Sequence, residues 1–125
     1  MHRPSVLIVD DHAAFRAVAR DMLTRSGFDV VGEAEDGQAA IKAMAQVHPS
    51  VVVLDVRLPD LDGFEVARRL LAQPQPPAVV LVSTTEAADY RRKIRDSGAL
   101  GFITKSSLSG DTLHAILRGH DGGMT

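Results

Sequence analysis

The chain contains no cysteine, which removes a disulfide framework, a thiolate zinc site and a cysteine nucleophile together. Tryptophan is also absent, and aromatic residues make up only 4% of the sequence, too few for a platform that stacks single-stranded nucleic acid. Neither sign of charge dominates. Fourteen Lys and Arg stand against 16 Asp and Glu, a formal net charge of −2, so there is no broad basic field for nucleic acid or an anionic membrane. Long apolar runs are missing as well: "MHRPSVLIVDD" reaches Asp10 after five mostly apolar residues, too few for a signal peptide or a membrane span. The expectation is a cytoplasmic chain with no membrane contact and no direct nucleic-acid binding. What is present is a globular composition, 45% hydrophobic and 24% charged over 125 residues, which suits one domain around one core.

Apolar runs alternate with helical patterns. "SVLIVDD" (5–11), "FDVVGEA" (28–34), "VVVLD" (51–55), "AVVLVS" (78–83) and "LGFIT" (100–104) read as strands. The first helical pattern places Phe15, Val18, Ala19, Met22 and Leu23 at core spacing and stops at Gly27. Asp36 caps a second, with Ile41, Met44 and Ala45 on one side and Pro49 at its end. Asp62 and Glu65 resemble a capping box opening a third, which holds Val66, Ala67, Leu70 and Leu71 and stops at "QPQPP". A weaker helix is predicted from Ala87 to Asp96. Ser109 caps a last one holding Leu113, Ile116 and Leu117, and "GHDGGMT" (119–125) reads as a frayed tail. The expectation is a single domain over 1–125, with its core at about 5–118.

Strict strand–helix alternation implies an α/β fold, a doubly wound five-stranded parallel sheet. Strands one, three and four are continuously apolar, as expected where helices cover both faces. Strand two carries Asp29, Gly32 and Glu33, and strand five is short with Gly101; both suit edges. The order 2-1-3-4-5 puts them there, and right-handed crossovers then place helices one and five on one face and two, three and four on the other.

That order explains why the apolar run Val51–Leu54 in "VVVLDVRLPDLDG" ends on a carboxylate, Asp55. In such sheets ligands bind beyond the carboxyl ends of the strands where the winding reverses, between strands one and three. Asp10 and Asp11 end the first and Asp55 the third. Three converging carboxylates need a counter-charge, and a hard divalent cation such as magnesium supplies one while leaving room for phosphate oxygens. Strand four adds the hydroxyls of Ser83, Thr84 and Thr85, and strand five adds Thr104 and the ammonium of Lys105. The set suits phosphoryl transfer, which is mostly positioning and charge neutralisation, with Asp55 as the nucleophile that becomes an aspartyl-phosphate.

The segments "VLIVDDH", "VVVLDVRLPDLDG", "VVLVST" and "GFITK" resemble, in order and spacing, the signatures of response-regulator receiver domains of two-component signalling. The likeness covers about residues 5–118, and "VDDH" is closest in style to receivers of the LuxR/NarL-type regulators. The resemblance implies a flavodoxin-like (βα)5 receiver fold. It implies that Asp55 accepts a phosphoryl group from a cognate histidine kinase or phosphotransfer protein. Asp10, Asp11 and Asp55, with the backbone carbonyl of Arg57, would hold Mg2+ (or Mn2+). Ser83 would hydrogen-bond the phosphoryl group, Lys105 would pair with it, and Phe102 would be the switch aromatic. The surface of helix four, strand five and helix five would then signal to a downstream protein or output domain, with a phosphorylation-dependent dimer as a further outcome. The domain would phosphorylate and dephosphorylate itself without being a metabolic enzyme. Arg57 and Thr85, two residues beyond the acceptor and the hydroxyl, are expected to tune the phosphorylated lifetime, with Glu86 beside Arg57.

Two departures stand out. Lys105 precedes Ser106 where many receivers have proline, so a trans bond is expected, and the switch position holds Phe102 without a phenol hydroxyl.

Blander readings compete. A lone Asp after an apolar run is most often a turn residue, but the matched acids, hydroxyl and ammonium at four strand ends weigh against that. Asp60 and Asp62 in "LPDLDG" read as loop and cap residues rather than ligands, and His12 as a solvent-facing helix start. "YRRKIRD" (90–96) is either a solvated face or a partner surface. A haloacid-dehalogenase-type phosphatase needs an acid two residues after its nucleophile, where Arg57 stands. A nucleotide binder needs a glycine-rich turn that "DDHAAF" lacks. The alternative that remains is a pseudo-receiver, a protein-interaction module independent of phosphorylation, and the domain is either stand-alone or the N-terminal part of a DNA-binding regulator.

Overall fold

The computed structural model describes residues 3–84 and 90–122. Among the described residues, five strands, β1 (Ser5–Val9), β2 (Asp29–Ala34), β3 (Val51–Asp55), β4 (Ala78–Ser83) and β5 (Gly101–Thr104), alternate with five helices. These are α1 (Ala13–Arg25), α2 (Gly37–Val47), α3 (Gly63–Leu71), α4 (Arg91–Ser97) and α5 (Gly110–Gly122), with a 3₁₀ turn at Lys105–Ser107. The sheet is parallel throughout in the order β2-β1-β3-β4-β5, the flavodoxin-like arrangement expected from the sequence.

Alternation along the central strands divides the core. Leu7, Val9, Val52, Leu54, Val79 and Leu81 face α2, α3 and α4. Val6, Ile8, Val51, Val53, Val80 and Val82 face α1 and α5. Every residue of β3 is buried, and each of its apolar side chains, Val51 to Leu54, contributes roughly 1.5–3 kcal/mol on withdrawal from water. Edge strand β2 slips register against β1 between Val6 and Leu7, so that Leu7 pairs with Gly32; a bulge of this kind blunts an exposed edge.

Several local details differ from the sequence-based expectation. β1 stops at Val9, which leaves Asp10 and Asp11 in the following loop. Val18 is 64% exposed, because α1 turns only the stripe through Ala19 and Leu23 fully inward. Asp62 caps α3 through Phe64 N–H at 2.7 Å, but Glu65 binds Arg68 and Arg69 instead of completing a box. The reciprocal cap forms at α5, where Ser109 Oγ accepts from Thr112 N–H at 3.0 Å and Thr112 Oγ1 from Ser109 N–H at 2.9 Å. α5 runs to Gly122, so the predicted tail is in part helical. The predicted start of the fourth helix at Ala87 lies outside the described residues. No cis peptide bond occurs among the described residues.

Candidate functional site

β1 and β3 are neighbours, with Val9 opposite Leu54, so the chain leaving β1 faces the end of β3. Asp10 is fully buried and Asp55 is 4% exposed. Asp11 stands at the mouth with its side chain 37% exposed. Lys105, which opens the 3₁₀ turn after β5, reaches across the sheet. Its Nζ lies 2.6 Å from Asp10 Oδ2 and 3.2 Å from Asp55 Oδ2. The contact with Asp55 has hydrogen-bond geometry. The shorter one with Asp10 lies off the direction of a hydrogen bond, so Asp10 Oδ2 is buried without an aligned donor. The same ammonium sits 4.7 Å from the centre of the Phe15 ring on α1, an attraction between cation and ring face.

The remaining oxygens are held by backbone. Asp55 Oδ1 accepts from Arg57 N–H at 3.1 Å, and Asp10 Oδ1 accepts from His12 N–H at 2.8 Å. Burial is the largest influence on Asp55 and raises its pKa; the Arg57 N–H opposes this, the charge of Asp10 adds to it, and Lys105 opposes it, with a net rise. For Lys105, burial acts to lower the pKa, but Asp10 and Asp55 outweigh it and hold the ammonium charged.

Ser83 ends β4 beside Thr104 and is buried, so the sheet carries its hydroxyl to the same end as the acids. Phe102 on β5 is half-buried against the α2–α3–α4 side of the core, with its ring 6.4 Å from that of Tyr90. Arg57 is exposed, and its guanidinium leans toward α4, 3.4 Å from the Tyr90 hydroxyl. Thr85 and Glu86 lie outside the described residues. The sequence-predicted residues Asp10, Asp11, Asp55 and Lys105 thus converge, with Ser83 on the adjacent strand end.

Three further residues join the site: His12, for which the sequence favours a solvent-facing place over a ligand's, and Phe15 and Arg16, which it does not place there. His12 is 70% exposed, as expected of a solvent-facing residue, but its Nδ1 lies 3.2 Å from Asp10 and 3.1 Å from Asp11. Phe15 packs in part against the α1–α5 side of the core, as its helical spacing implies, but its ring also faces Lys105. Arg16 donates to the Asp10 carbonyl at 2.6 Å and to Glu33 on β2 at 3.0 Å. The available signal was position: all three lie within the first turn and a half after the acid pair, at the end of α1 nearest the site. Ligand atoms of Asp10, Asp11, His12 and Asp55 lie within 4.8 Å of one another. A donor set dominated by carboxylate oxygen, with one buried oxygen lacking an aligned donor, fits a hard divalent cation.

The response regulator receiver domain family matches residues 6–118. A protein-glutamate methylesterase/protein-glutamine glutaminase of Halobacterium salinarum is 38% identical over 91% of the chain and 32% of its own length. The transcriptional regulatory protein PdtaR of Mycobacterium tuberculosis is 36% identical over 89% of the chain and 54% of its own. The chain therefore spans about a third to just over half of these relatives. Among solved structures, the signal receiver domain of a NarL response regulator from Mycobacterium tuberculosis superposes with a TM-score of 0.86 at 32% identity, covering 98% of this chain and 99% of that one. With the sheet order, the acid cluster and this match over nearly its whole length, the chain belongs to the response regulator receiver domains of two-component systems.

Proposed function

We propose that this receiver accepts a phosphoryl group on Asp55 from a histidine kinase or phosphotransfer protein and passes the signal to an output domain or downstream protein. The observation that carries the reading is Lys105 Nζ lying between two buried carboxylates, 2.6 Å from Asp10 and 3.2 Å from Asp55. A buried acid at a strand end, paired with a cation that can turn toward a second anion, suits a nucleophile whose product is more negative than itself.

Asp55 Oδ attacks phosphorus and forms the new P–O bond. The bond from phosphorus to the donor's leaving atom breaks, and that atom departs with the electron pair and takes up a proton. Asp10, Asp11 and Asp55, with the Arg57 carbonyl, would hold a magnesium or manganese ion, which would supply neutralising charge for the phosphoryl oxygens. Lys105 contributes a second positive charge from the β5 side. Arg57 N–H holds one Asp55 oxygen so that the other can attack. Ser83 donates its hydroxyl to the phosphoryl group, and Phe102 moves with it. Arg57 and Thr85 tune the lifetime of the phosphorylated state.

Intact-mass measurement with a small acyl phosphate and magnesium tests the reading. Wild type gains one phosphoryl group, labile to hydroxylamine, and Asp55→Asn does not. Equal uptake by the two proteins removes Asp55 from its role.

A further inference from the structure

The loop that follows Asp55 is fixed at both ends and hung from a third point. At its base, Gly63 N–H donates to Val56 O at 2.9 Å, and Arg57 and Asp62 form an isolated bridge. The loop closes so tightly that a Cβ on Gly63 would fall 2.3 Å from Asp55 O. Between these ends Leu58 and Leu61 pack in part against the core, while Pro59 and Asp60 between them are exposed. The polar anchor of this tip is the Asp60 carboxylate, whose two oxygens accept from Gly37 N–H at 2.7 Å and Gln38 N–H at 2.9 Å.

Those amides open α2, a helix with its own cap: Asp36 already serves Ala39 N–H at 2.7 Å. Asp60 therefore adds a tie between two elements to a helix already capped. The joint is close-packed, since a Cβ on Gly37 would lie 2.9 Å from Leu61 Cδ1. α2 in turn is seated on the sheet through buried Ala40 and Met44, which makes it a firm support.

We propose that Asp60 is a positioning residue for Asp55, clamping the β3–α3 loop to α2 so that Arg57 N–H stays on Asp55 Oδ1. The inference rests on Asp55 being the acceptor. Asp60 acts through the backbone: its carboxylate holds the tip, the tip fixes the path of Arg57, and the Arg57 amide fixes the rotation of the nucleophile. The Gly37 and Gln38 amides also hold the Asp60 pKa below the usual carboxylate range, so the clamp is charged at neutral pH. A reacting atom displaced by about 1 Å can cost on the order of a hundredfold in rate, and an exposed loop released at its tip is free to make smaller displacements.

The experiment compares wild type, Asp60→Ala and Asp60→Asn in phosphorylation by acetyl phosphate, with the Arg57 amide followed by 15N NMR. Asp60→Ala is expected to lower the maximal rate roughly tenfold with little change in half-saturating donor, and to shift the Arg57 amide away from its hydrogen-bonded position. Asp60→Asn keeps one acceptor oxygen and should fall between the two. Should Asp60→Ala lose its fold, the near-isosteric Asn variant carries the test by the same two readouts. Unchanged rate and unchanged Arg57 amide in a folded variant overturn the proposal while leaving Asp55 as acceptor. Equal phosphorylation of Asp55→Asn and wild type overturns the underlying reading instead.

Discussion

At the residue scale, Asp55 is a carboxylate kept where it is least comfortable. Burial and the neighbouring Asp10 raise its pKa more than Arg57 N–H and Lys105 lower it. An acid whose folded pKa lies above its unfolded value imposes no cost when protonated in both states, and its full cost above the folded pKa. Asp55→Asn keeps the shape without the charge. In chelator at pH 7 it should raise the melting temperature by roughly 2–5 °C, the shift that about 1 kcal/mol produces in a domain of this size. The gain should vanish below the ordinary carboxylate value of 3.8. Melting curves at pH 7 and pH 3 check this, and a variant less stable than wild type at pH 7 would show that the Lys105 pair outweighs burial and repulsion. Magnesium should raise the melting temperature of wild type by mass action, and replacing Asp10 and Asp11 by Asn and Ala should remove that rise.

At the element scale, edge strand β2 is tied to α1 by charge. Glu33 receives Arg16 Nε at 3.0 Å and Arg20 Nε at 2.6 Å, and these guanidiniums, with Arg20 first, hold its pKa below the ordinary 4.5. Because Arg16 also binds the Asp10 carbonyl, the tie runs into the loop that carries the acid pair. A depressed acid contributes stability that is present above its unfolded pKa and lost as pH falls through the folded one. Glu33 is 29% exposed and Arg20 45%, so solvent screening leaves about 1 kcal/mol for the cluster. Glu33→Gln should cost that amount in urea unfolding at pH 7 and nothing at pH 3. A cost independent of pH would assign the effect to packing.

At the scale of the whole molecule, two unequal faces cover one sheet. On the α1–α5 face, Leu23, Phe28 and Leu113 are fully buried, and His114 stacks on Phe28 at 4.2 Å while its Nε2 bonds Ser26 O at 2.8 Å. On the other face α4 is short, and Ser97 is its buried residue. Tyr90, Ile94 and Phe102 pack there only in part. Elements with few buried anchors open at low cost, so the α4 side is where a charge change at Asp55 should be read out. A beryllofluoride mimic of the phosphoryl group should draw Phe102 further inward and shift amides of α4, β5 and α5, including Arg91, Arg92 and Arg95, more than those of α1. NMR shift mapping decides it. Changes confined to the loops around Asp55 would remove this face as the output surface.

The sequence by itself determined the architecture and which strand ends carry the acids, the hydroxyl and the ammonium. The runs at Val51–Leu54 and Val79–Val82 bury on both faces because no polar residue interrupts them, so they had to be central. Strand ends had to meet at one edge because a parallel sheet aligns them, and this brought Asp10, Asp55, Ser83 and Lys105 to the same end. Helix spacing misjudged Val18, since a periodic pattern shows a stripe but not how wide a stripe the neighbours cover. Tertiary structure alone decided the partners of groups that reach across elements. Lys105 leans on Phe15, Arg16 grips the Asp10 carbonyl, and Asp60 crosses from the β3–α3 loop to cap α2. Each of these joins residues far apart in the chain or at an angle that spacing does not encode. A side chain's partner is fixed by where packed helices come to rest on the sheet, and that placement exists only once the chain has folded.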